Sequence, residues 1–292
     1  MYTVMGITGQ VGGATARALL KDGKKVRGIV RNKAKAASWE AAGVELAVAD
    51  WEDAAALEAA FRGADGVFAM LPANFAPPPG FPEARTISAT IRRALEAAKP
   101  GKVVYLSSVG GHHEKGLGLI TQCHILEEEM KTLPIPKAFI RAAWFLENSQ
   151  WDVASARDRG EIAAFLDPLD RPFPMVSAED IGKLAAKTLQ QDWKGNRFLE
   201  LEGPRRYSQI DVAETFARLL NRPVVAKPVP RETWAALFEA QGTPADRTAP
   251  RIEMLDGFNS GWIDFEGGAG TEHVRGTRTQ EEVFQDLIQK SA

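Results

Sequence analysis

A glycine-rich turn near the N-terminus constrains the fold of this chain more than any other feature. Residues 6–12 read Gly-Ile-Thr-Gly-Gln-Val-Gly, directly after an apolar run and directly before a stretch with helical spacing. Glycines here let backbone N–H groups approach a pyrophosphate and let the helix pack closely on the strand, while the helix N-terminus favours negative charge. The sequence therefore predicts a strand–turn–helix unit that binds a dinucleotide. The candidate contacts are Gly6, Thr8, Gly9, Gln10, Val11 and Gly12.

Short apolar runs and helical stretches alternate along the first half of the chain. The runs that fit strands are Tyr2 to Met5, Val26 to Val30, Val44 to Val48, Val67 to Leu71, Val103 to Leu106 and Ala138 to Ile140. The helical stretches are Val11 to Leu20, Ala54 to Phe61 and Arg85 to Ala98. This alternation predicts parallel strands joined by crossover helices, with both faces of the sheet covered. The expected fold is α/β, a Rossmann-type doubly wound parallel sheet.

The end of the second predicted strand indicates which dinucleotide is bound. An NAD site usually has an Asp or Glu about 20 residues beyond the glycines, where it accepts from the ribose 2′-hydroxyl. Here the strand ends in Val30-Arg31-Asn32-Lys33-Ala34-Lys35. Arg31 can donate a bidentate pair to a 2′-phosphate, and Lys35 adds a positive charge. These residues predict NADPH/NADP+ as the cofactor, and the alternative interpretation is a solvated basic surface.

The pattern changes beyond residue 150. Ser177-Ala178-Glu179-Asp180 is typical of a capping box before a helix over Ile181 to Leu189, and Phe198 to Leu201 fits a strand that returns to the sheet. The rest of the chain has many prolines and no sustained parallel-strand pattern. We expect an NADP-binding Rossmann domain over 1–150, rejoined by part of 177–203. A smaller C-terminal α+β substrate lobe is expected over 151–176 and 204–292.

Composition excludes several classes of partner. The 292 residues include 36 Lys and Arg and 38 Asp and Glu, and neither sign forms a long block, so we expect no nucleic acid and no membrane as partner. The single cysteine, Cys123, excludes an internal disulfide and suits a reducing compartment. No apolar run approaches the roughly 20 residues of a membrane span, and the N-terminus lacks the pattern of a signal peptide. We expect a cytoplasmic protein, and no heptad or interface stripe indicates its oligomeric state.

Five segments resemble the NmrA-like atypical short-chain dehydrogenase/reductases. They are Gly6 to Gly12, Arg31, Val48-Ala49-Asp50, Arg141 with Trp144-Phe145-Leu146-Glu147-Asn148, and the Asp180-Ile181 helix. The resemblance covers most of the chain and implies a cofactor across the strand carboxyl ends, with the substrate between the two lobes. It also suggests Asp50, followed by Trp51, as an acceptor for the adenine amino group. This family contains quinone and triphenylmethane-dye reductases, and also NADP-binding redox sensors without evident catalysis.

The usual catalytic pair of short-chain dehydrogenases, Tyr-x-x-x-Lys, is absent. When Glu127 is aligned with an acid often found three residues after that Lys, Ile120 occupies the Tyr position and His124 the Lys position. Ketone or alcohol chemistry by the standard protonation mechanism is therefore not expected. Hydride transfer into a conjugated acceptor needs only correct positioning, because solvent can supply the proton. His124 is a weak catalytic candidate that could hold the ribose or carry a proton, and the alternative is a surface histidine without a role.

Other residues after the strands are candidates for the cofactor and substrate pockets. A proline-rich flap over 70–82 follows the fourth strand, and a glycine-rich loop with His112 and His113 follows the fifth. The further cofactor candidates are Met70, Leu71, Pro72 and His124, and the substrate-pocket candidates are Phe75, His112, Trp144 and Phe145. The two aromatic residues after the sixth strand fit an apolar core equally well. The histidine spacing fits no ligand pattern, so no metal site is expected, and Cys123 falls on an apolar stripe that predicts a packing thiol.

Two functions follow from these expectations. The first is an NADPH-dependent reductase that transfers hydride to a quinone-like or other conjugated small-molecule acceptor. The second is a non-catalytic NADP(H)-binding redox sensor of the NmrA type, whose partner is a regulatory protein and which the missing Tyr and Lys support. Such a sensor requires that the states of the cofactor differ in their affinity for the partner.

Overall fold

The computed structural model describes residues 1–291. The helices are α1 (Gln10–Lys21), α2 (Ala37–Ala41), α3 (Ala54–Phe61), α4 (Pro82–Ala98), α5 (Thr121–Met130), α6 (Val153–Arg159), α7 (Ala178–Leu189), α8 (Gln209–Leu220), α9 (Trp234–Ala240), α10 (Ala249–Ser260) and α11 (Gln280–Lys290). The strands are β1 (Tyr2–Val4), β2 (Val26–Val30), β3 (Glu45–Val48), β4 (Gly66–Ala69), β5 (Val103–Ser108), β6 (Lys137–Ala142), β7 (Trp144–Phe145), β8 (Glu161–Ala164), β9 (Met175–Val176), β10 (Asn196–Glu202), β11 (Val225–Pro228) and β12 (Glu272–Arg275).

The main sheet has eight parallel strands in the order β12-β10-β6-β5-β4-β1-β2-β3. The part 6-5-4-1-2-3 is the order of doubly wound dinucleotide-binding folds. The winding reverses between β1 and β4, and ligands of open α/β sheets bind at the carboxyl ends of the strands beside such a reversal. The Rossmann-type α/β fold predicted from the sequence is confirmed.

Helices cover both faces of this sheet. On one face, α1 and α7 contribute Leu19 and Ile181 to an apolar cluster with the strands. On the other, α3, α4 and α5 contribute Leu57, Ile91 and Leu126 to a second cluster. Because both faces are buried, the central strands have continuous apolar sequences, which is why they could be recognised from the sequence.

Element boundaries differ from the predicted ones mainly where a cap decides the end. Helix α4 begins at Pro82, three residues before the predicted start, because proline is tolerated in the first turn of a helix. Helix α7 begins at Ala178, where the Ser177 hydroxyl accepts from the Asp180 backbone N–H at 3.0 Å. The Asp180 carboxylate accepts from the backbone N–H groups of Thr277 and Arg278, so the predicted capping box is incomplete.

The C-terminal lobe has its own apolar cluster. It includes aromatic side chains from α8, α9, α10 and α11, namely Phe216, Trp234, Phe238, Phe258 and Phe284. Strand β8 pairs with β11, and β7 pairs with β9. Helices α8 and α11 begin with complete capping boxes, Ser208–Asp211 and Thr279–Glu282, which were not predicted from the sequence.

One segment assigned to the lobe from the sequence belongs to the main sheet. Strand β12 pairs in parallel with β10, with Leu199 opposite Glu272 and Leu201 opposite Val274. Its sequence, Glu-His-Val-Arg, lacks the apolar run of a buried strand because β12 is the last strand at one edge of the sheet. Strand β10 returns to the sheet beside β6, as the sequence predicts.

Among residues 1–291, no helix is both long enough and apolar enough to cross a membrane.

Candidate functional site

The turn between β1 and α1 leaves no room for side chains at two of its glycines. Gly6 has φ +63°, in the left-handed region that favours glycine. A Cβ at Gly12 would lie 2.3 Å from the carbonyl oxygen of Gly6 and 2.6 Å from that of Met5. The Gly9 N–H donates to the Gly6 carbonyl at 2.9 Å and closes the turn. The turn therefore exposes backbone, and not side chains, at the carboxyl ends of the strands.

The N-terminus of α1 suits an anion. Gly9 is the N-cap residue, no side chain in the described chain caps this end, and the first turn contains no acidic residue. The N–H groups of Gln10, Val11 and Gly12 have no acceptor within the helix, because the first turn has no preceding carbonyls. Thr8, Gly9 and Gln10 are exposed. Free N–H groups and the helix dipole together favour a phosphate group at this point.

Basic residues follow β2, the neighbour of β1. Arg31 and Lys35 are both exposed, and neither forms an ion pair with any residue between 1 and 291. The segment Lys33–Ala36 is a short 3₁₀ helix, which the Asn32 side chain caps by accepting from the Ala34 N–H at 2.9 Å. A tight turn thus holds Lys35 close to the strand end that carries Arg31.

The strand beyond, β3, is followed by the predicted adenine-side residues. One carboxylate oxygen of Asp50 accepts from the Glu52 N–H at 3.1 Å, and the side chain is exposed. Trp51 is half-buried and packs against the apolar cluster of the α3 face. Asp50 therefore keeps a carboxylate oxygen at the surface, and Trp51 has one part of its surface in the core and another exposed.

The flap after β4 begins in contact with the glycine turn. The Met70 sulfur lies 3.0 Å from the position that a Cβ of Gly6 would occupy. Leu71 and Pro72 are half-buried, whereas the Phe75 side chain is 62% exposed. The Gln122 side chain of α5 donates to the Asn74 carbonyl at 3.0 Å, which ties the flap to that helix.

His124 holds the glycine-rich loop that follows β5. Its Nδ1–H donates to the carbonyl oxygen of Gly111 at 3.0 Å. Because a carbonyl only accepts, the proton lies on Nδ1, and Nε2 of the neutral ring is left as an acceptor. Ile120, at the position of the usual Tyr, is buried. His124 is thus a residue that positions the loop, and only its Nε2 remains for a ligand.

Cys123 has the properties of a packing residue. It contacts the apolar cluster of the C-terminal lobe. Burial raises the pKa of the Cys123 thiol to about 12, and the charge of Glu127 contributes in the same direction. A thiol with such a pKa is not a nucleophile near neutral pH.

A buried ion pair, which was not predicted from the sequence, lies beneath the glycine-rich loop that follows β5. The Glu127 carboxylate accepts from Arg141 Nε and Nη2 at 3.1 and 2.9 Å, and from the Ser107 hydroxyl at 2.5 Å. Both charged side chains are about 5% exposed. Arg141 Nη1 also donates to Glu266 at 2.6 Å. The available signal was a lone Arg within the apolar strand Lys137–Ala142, which requires a buried partner.

This network supports the loop directly. Burial alone would lower the pKa of Arg141, but hydrogen bonds and charges from Glu127 and Glu266 outweigh it and raise the pKa, so the guanidinium stays charged. A Cβ at Gly111 would lie 3.0 Å from the nearer Glu127 oxygen and 3.1 Å from the Ser107 hydroxyl. Gly111 therefore packs directly against the Glu127 carboxylate, and the position of the loop relative to β5 depends on the ion pair.

The C-terminal lobe clamps the loop from its outer side. The His113 ring stacks on Trp262, with 3.9 Å between ring centroids, and its Nε2–H donates to the Trp262 carbonyl at 3.0 Å. The Trp262 indole N–H donates to the Lys115 carbonyl at 3.0 Å. The loop is thus fixed at three points, by His124, by the ion pair and by Trp262.

The two aromatic candidates after β6 turn to different clusters. Trp144 meets Phe258 of the lobe edge-on, with 5.3 Å between centroids. Phe145 packs against the main-sheet cluster on the α1 face. Both are half-buried, so each has part of its surface in the core.

Sheet order brings the candidates together along one edge. In the sheet order β3-β2-β1-β4-β5-β6, the carboxyl ends of the strands are followed by Asp50, Arg31, the glycine turn, Met70, the His112 loop and Trp144, respectively. Within residues 1–291, no group of three or more His, Cys, Asp or Glu side chains is arranged to hold a metal ion.

Comparisons with known proteins agree with this architecture. The model of the NmrA-like family matches residues 2–252. The chain belongs to the NmrA-like family. An NAD(P)H azoreductase of Xenophilus azovorans is 24% identical over 225 residues, which are 77% of this chain and 75% of that protein. Quinone oxidoreductase 2 of Escherichia coli is 23% identical over 248 residues, 84% and 83% of the two chains.

A solved structure shows the same fold as this NmrA-like chain. The triphenylmethane reductase of Citrobacter sp., in complex with NADP(H), superposes with a TM-score of 0.79 at 19% identity, covering 100% of this chain and 99% of that one. At this identity the likeness extends to the fold and not to the chemistry.

Proposed function

We propose that this protein is an NADPH-dependent reductase that transfers hydride to a quinone-like or other conjugated small-molecule acceptor. The observation that carries the proposal is the turn at Gly6 and Gly12, which excludes side chains and opens an uncapped helix N-terminus beside the exposed Arg31. Its relatives named as NAD(P)H azoreductase and quinone oxidoreductase support the same class of reaction.

Each part of the cofactor is assigned to different residues at the carboxyl ends of the strands. N–H groups of Gln10, Val11 and Gly12 bind the diphosphate, because they are free and lie at the positive end of a helix. Arg31 binds the 2′-phosphate with two parallel hydrogen bonds, and Lys35 adds charge. The adenine is assigned to Asp50 with Trp51, and the nicotinamide side to Met70, Leu71, Pro72 and His124.

NADPH, when bound, supplies the hydride. The chain supplies orientation, because it places the acceptor between the strand ends and the lobe. Phe75, His112, Trp144 and Phe145 are assigned to the walls of this space, and flat conjugated molecules suit aromatic walls. The buried Ile120 at the Tyr position provides no proton, so the proton comes from solvent.

Cofactor binding and turnover test the proposal separately. Titration of the wild type with NADPH and NADH is expected to show a preference for NADPH. Arg31→Ala should weaken NADPH binding by about 10- to 100-fold, because it removes charge-assisted hydrogen bonds, and should leave NADH binding nearly unchanged. Arg31→Asp should favour NADH. Lys24→Ala, an exposed charge after α1, is the matched control.

Turnover is measured as NADPH oxidation with a panel of quinones and a cationic triphenylmethane dye. Activity with at least one acceptor is expected. Tight NADPH binding without turnover of any acceptor would contradict the reductase and leave the redox sensor. An equal loss of NADPH and NADH binding in Arg31→Ala would remove the assigned role of Arg31.

A further inference from the structure

Three aromatic rings contact one another in a row where the loop after β5 meets the C-terminal lobe. His112 and His113 lie 3.9 Å apart between centroids, tilted by 44°, and His113 stacks on Trp262 at 3.9 Å. Trp262 is 49% exposed and forms the outer end of the row, whereas His112 forms the inner, half-buried end. Contact with the His113 ring therefore restrains the His112 ring from one side.

The histidines of this region differ in how they use their ring nitrogens. His124 donates to Gly111, and His113 donates to Trp262, so each has a proton committed to a backbone carbonyl. Neither ring nitrogen of His112 bonds to any residue in the range 1–291, and its Nδ1 is fully buried. Nε2 of His112 is not enclosed in this way, so the ring has a free edge.

Burial decides which nitrogen of His112 carries the proton. A buried donor without an acceptor costs more than a bare lone pair in the same place. The proton of the neutral ring therefore lies on Nε2, the accessible edge. Burial lowers the pKa of His112, and His113 and Arg141 lower it further, while Glu266 and Glu200 act in the opposite direction. The neutral ring with Nε2–H is the form that the fold favours.

We propose that His112 is a catalytic residue, whose Nε2–H donates a hydrogen bond to the oxygen on which negative charge develops when a conjugated carbonyl acceptor is reduced. This inference rests on the proposed function. His112 lies on the loop at the carboxyl end of β5, and β4 beside it carries Met70 against the glycine turn. In the proposed function the acceptor lies between this edge and the lobe, beside the loop, and His112 is the histidine of the loop whose ring proton is not donated to a backbone carbonyl.

Reduction of such an acceptor does not require that a side chain give up a proton. A quinone accepts hydride with its electron pair, its π bond breaks, and the negative charge moves to a carbonyl oxygen as the nicotinamide is oxidised. The neutral imidazole stabilises that oxygen by its hydrogen bond and keeps its own proton, because a neutral imidazole is a weak acid. Water then supplies the proton to the oxygen.

A cationic triphenylmethane dye makes a useful contrast. Its central carbon accepts hydride and becomes neutral, so no oxyanion forms and no donor is required. If His112 acts as an oxyanion donor, its removal should affect quinones and spare the dye. Failure of the proposed function has a different signature, because the wild type would then reduce neither acceptor.

Two variants separate the donor from the ring. His112→Phe keeps a ring for the stack on His113 and removes the N–H, whereas His112→Gln keeps an amide donor near the position of Nε2. His112→Phe is expected to lower kcat for quinones by about 100-fold, with little change for the dye. His112→Gln should retain most of the quinone activity. Circular dichroism and thermal melting of both variants check that the fold is intact.

Binding of a phenolate gives a readout that does not depend on turnover. With NADP+ present, 4-nitrophenol is titrated spectroscopically in the wild type and the variants. A donor at the acceptor oxygen lowers the pKa of the bound phenol, so His112→Phe should raise that pKa relative to the wild type and His112→Gln should not. The proposal is overturned if His112→Phe leaves both quinone reduction and the phenol pKa unchanged. It is also overturned if folded His112→Phe loses quinone and dye reduction equally, because the ring would then act only in packing.

Discussion

Two places on the same edge of the sheet are built by opposite means. The glycine turn at 6–12 excludes side chains, and every group in it comes from one short segment. The network under the loop after β5 consists of side chains, and its members Ser107, Glu127, Arg141 and Glu266 come from four separate parts of the chain. The turn leaves backbone N–H groups without an acceptor within the helix, whereas the charged groups of the network are paired with one another beneath the loop that carries His112.

Because the two regions are built differently, substitutions affect them in different ways. In the turn, one added methyl group collides with backbone, which cannot move without shifting α1. In the network, a lost partner leaves a buried charge without compensation, which affects the whole fold. We therefore expect variants of the network to lower stability first, and variants of the turn to lower cofactor affinity first.

The largest effect is expected from Arg141→Met. It leaves the buried Glu127 carboxylate with only the Ser107 hydroxyl, and should lower the free energy of unfolding by about 3–5 kcal/mol in denaturant titrations. Arg197→Met removes a more exposed pair with Glu272 and should cost about 1 kcal/mol or less. Similar losses in both variants would show that burial of the Arg141 pair has no special weight. Replacing both charges, as in Glu127→Leu with Arg141→Met, should restore part of the stability.

The next effect concerns the turn. Gly12→Ala places a Cβ 2.3 Å from the Gly6 carbonyl oxygen, so α1 must move and its N–H groups move with it. NADPH affinity, measured by fluorescence titration, should fall by about 10- to 100-fold, because the loss of one hydrogen bond to a charged phosphate costs about 1.5–3 kcal/mol. Gly270→Ala is the control, because a Cβ there meets nothing within 4 Å. Unchanged NADPH affinity in folded Gly12→Ala would mean that the diphosphate does not bind at this turn.

The smallest effect is expected at the outer end of the network. Glu266 has a 47% exposed side chain, and its backbone N–H donates to Glu200 at 2.8 Å, so the segment stays attached without its charge. Glu266→Gln should therefore lower stability by only about 0.5–1 kcal/mol. A double-mutant cycle with Arg141→Met measures the coupling, and a cost as large as that of Arg141→Met would contradict the division between inner and outer partners.

The parts of the fold that could be predicted are those that depend on residues close together in the sequence. Helix α3 occupies Ala54–Phe61 as its apolar spacing indicates, and Asp53 caps it. The six strands from β1 to β6 were recognised because burial on both faces makes each one a continuous apolar run. Strand β12 was missed because one residue in four is apolar, and its pairing with β10 is a tertiary contact.

By itself, the sequence determined the Rossmann-type sheet, the glycine turn and the basic end of β2, since each depends on periodicity or on residues a few positions apart. Only the tertiary structure decided that Arg141 pairs with Glu127, that His124 is committed to Gly111, and that the ring proton of His112 is committed to no backbone carbonyl of the described chain. The reason is physical. A hydrogen-bond donor has a partner or lacks one only after the chain has folded, and here the partners come from strands, helices and a lobe that the sequence keeps far apart.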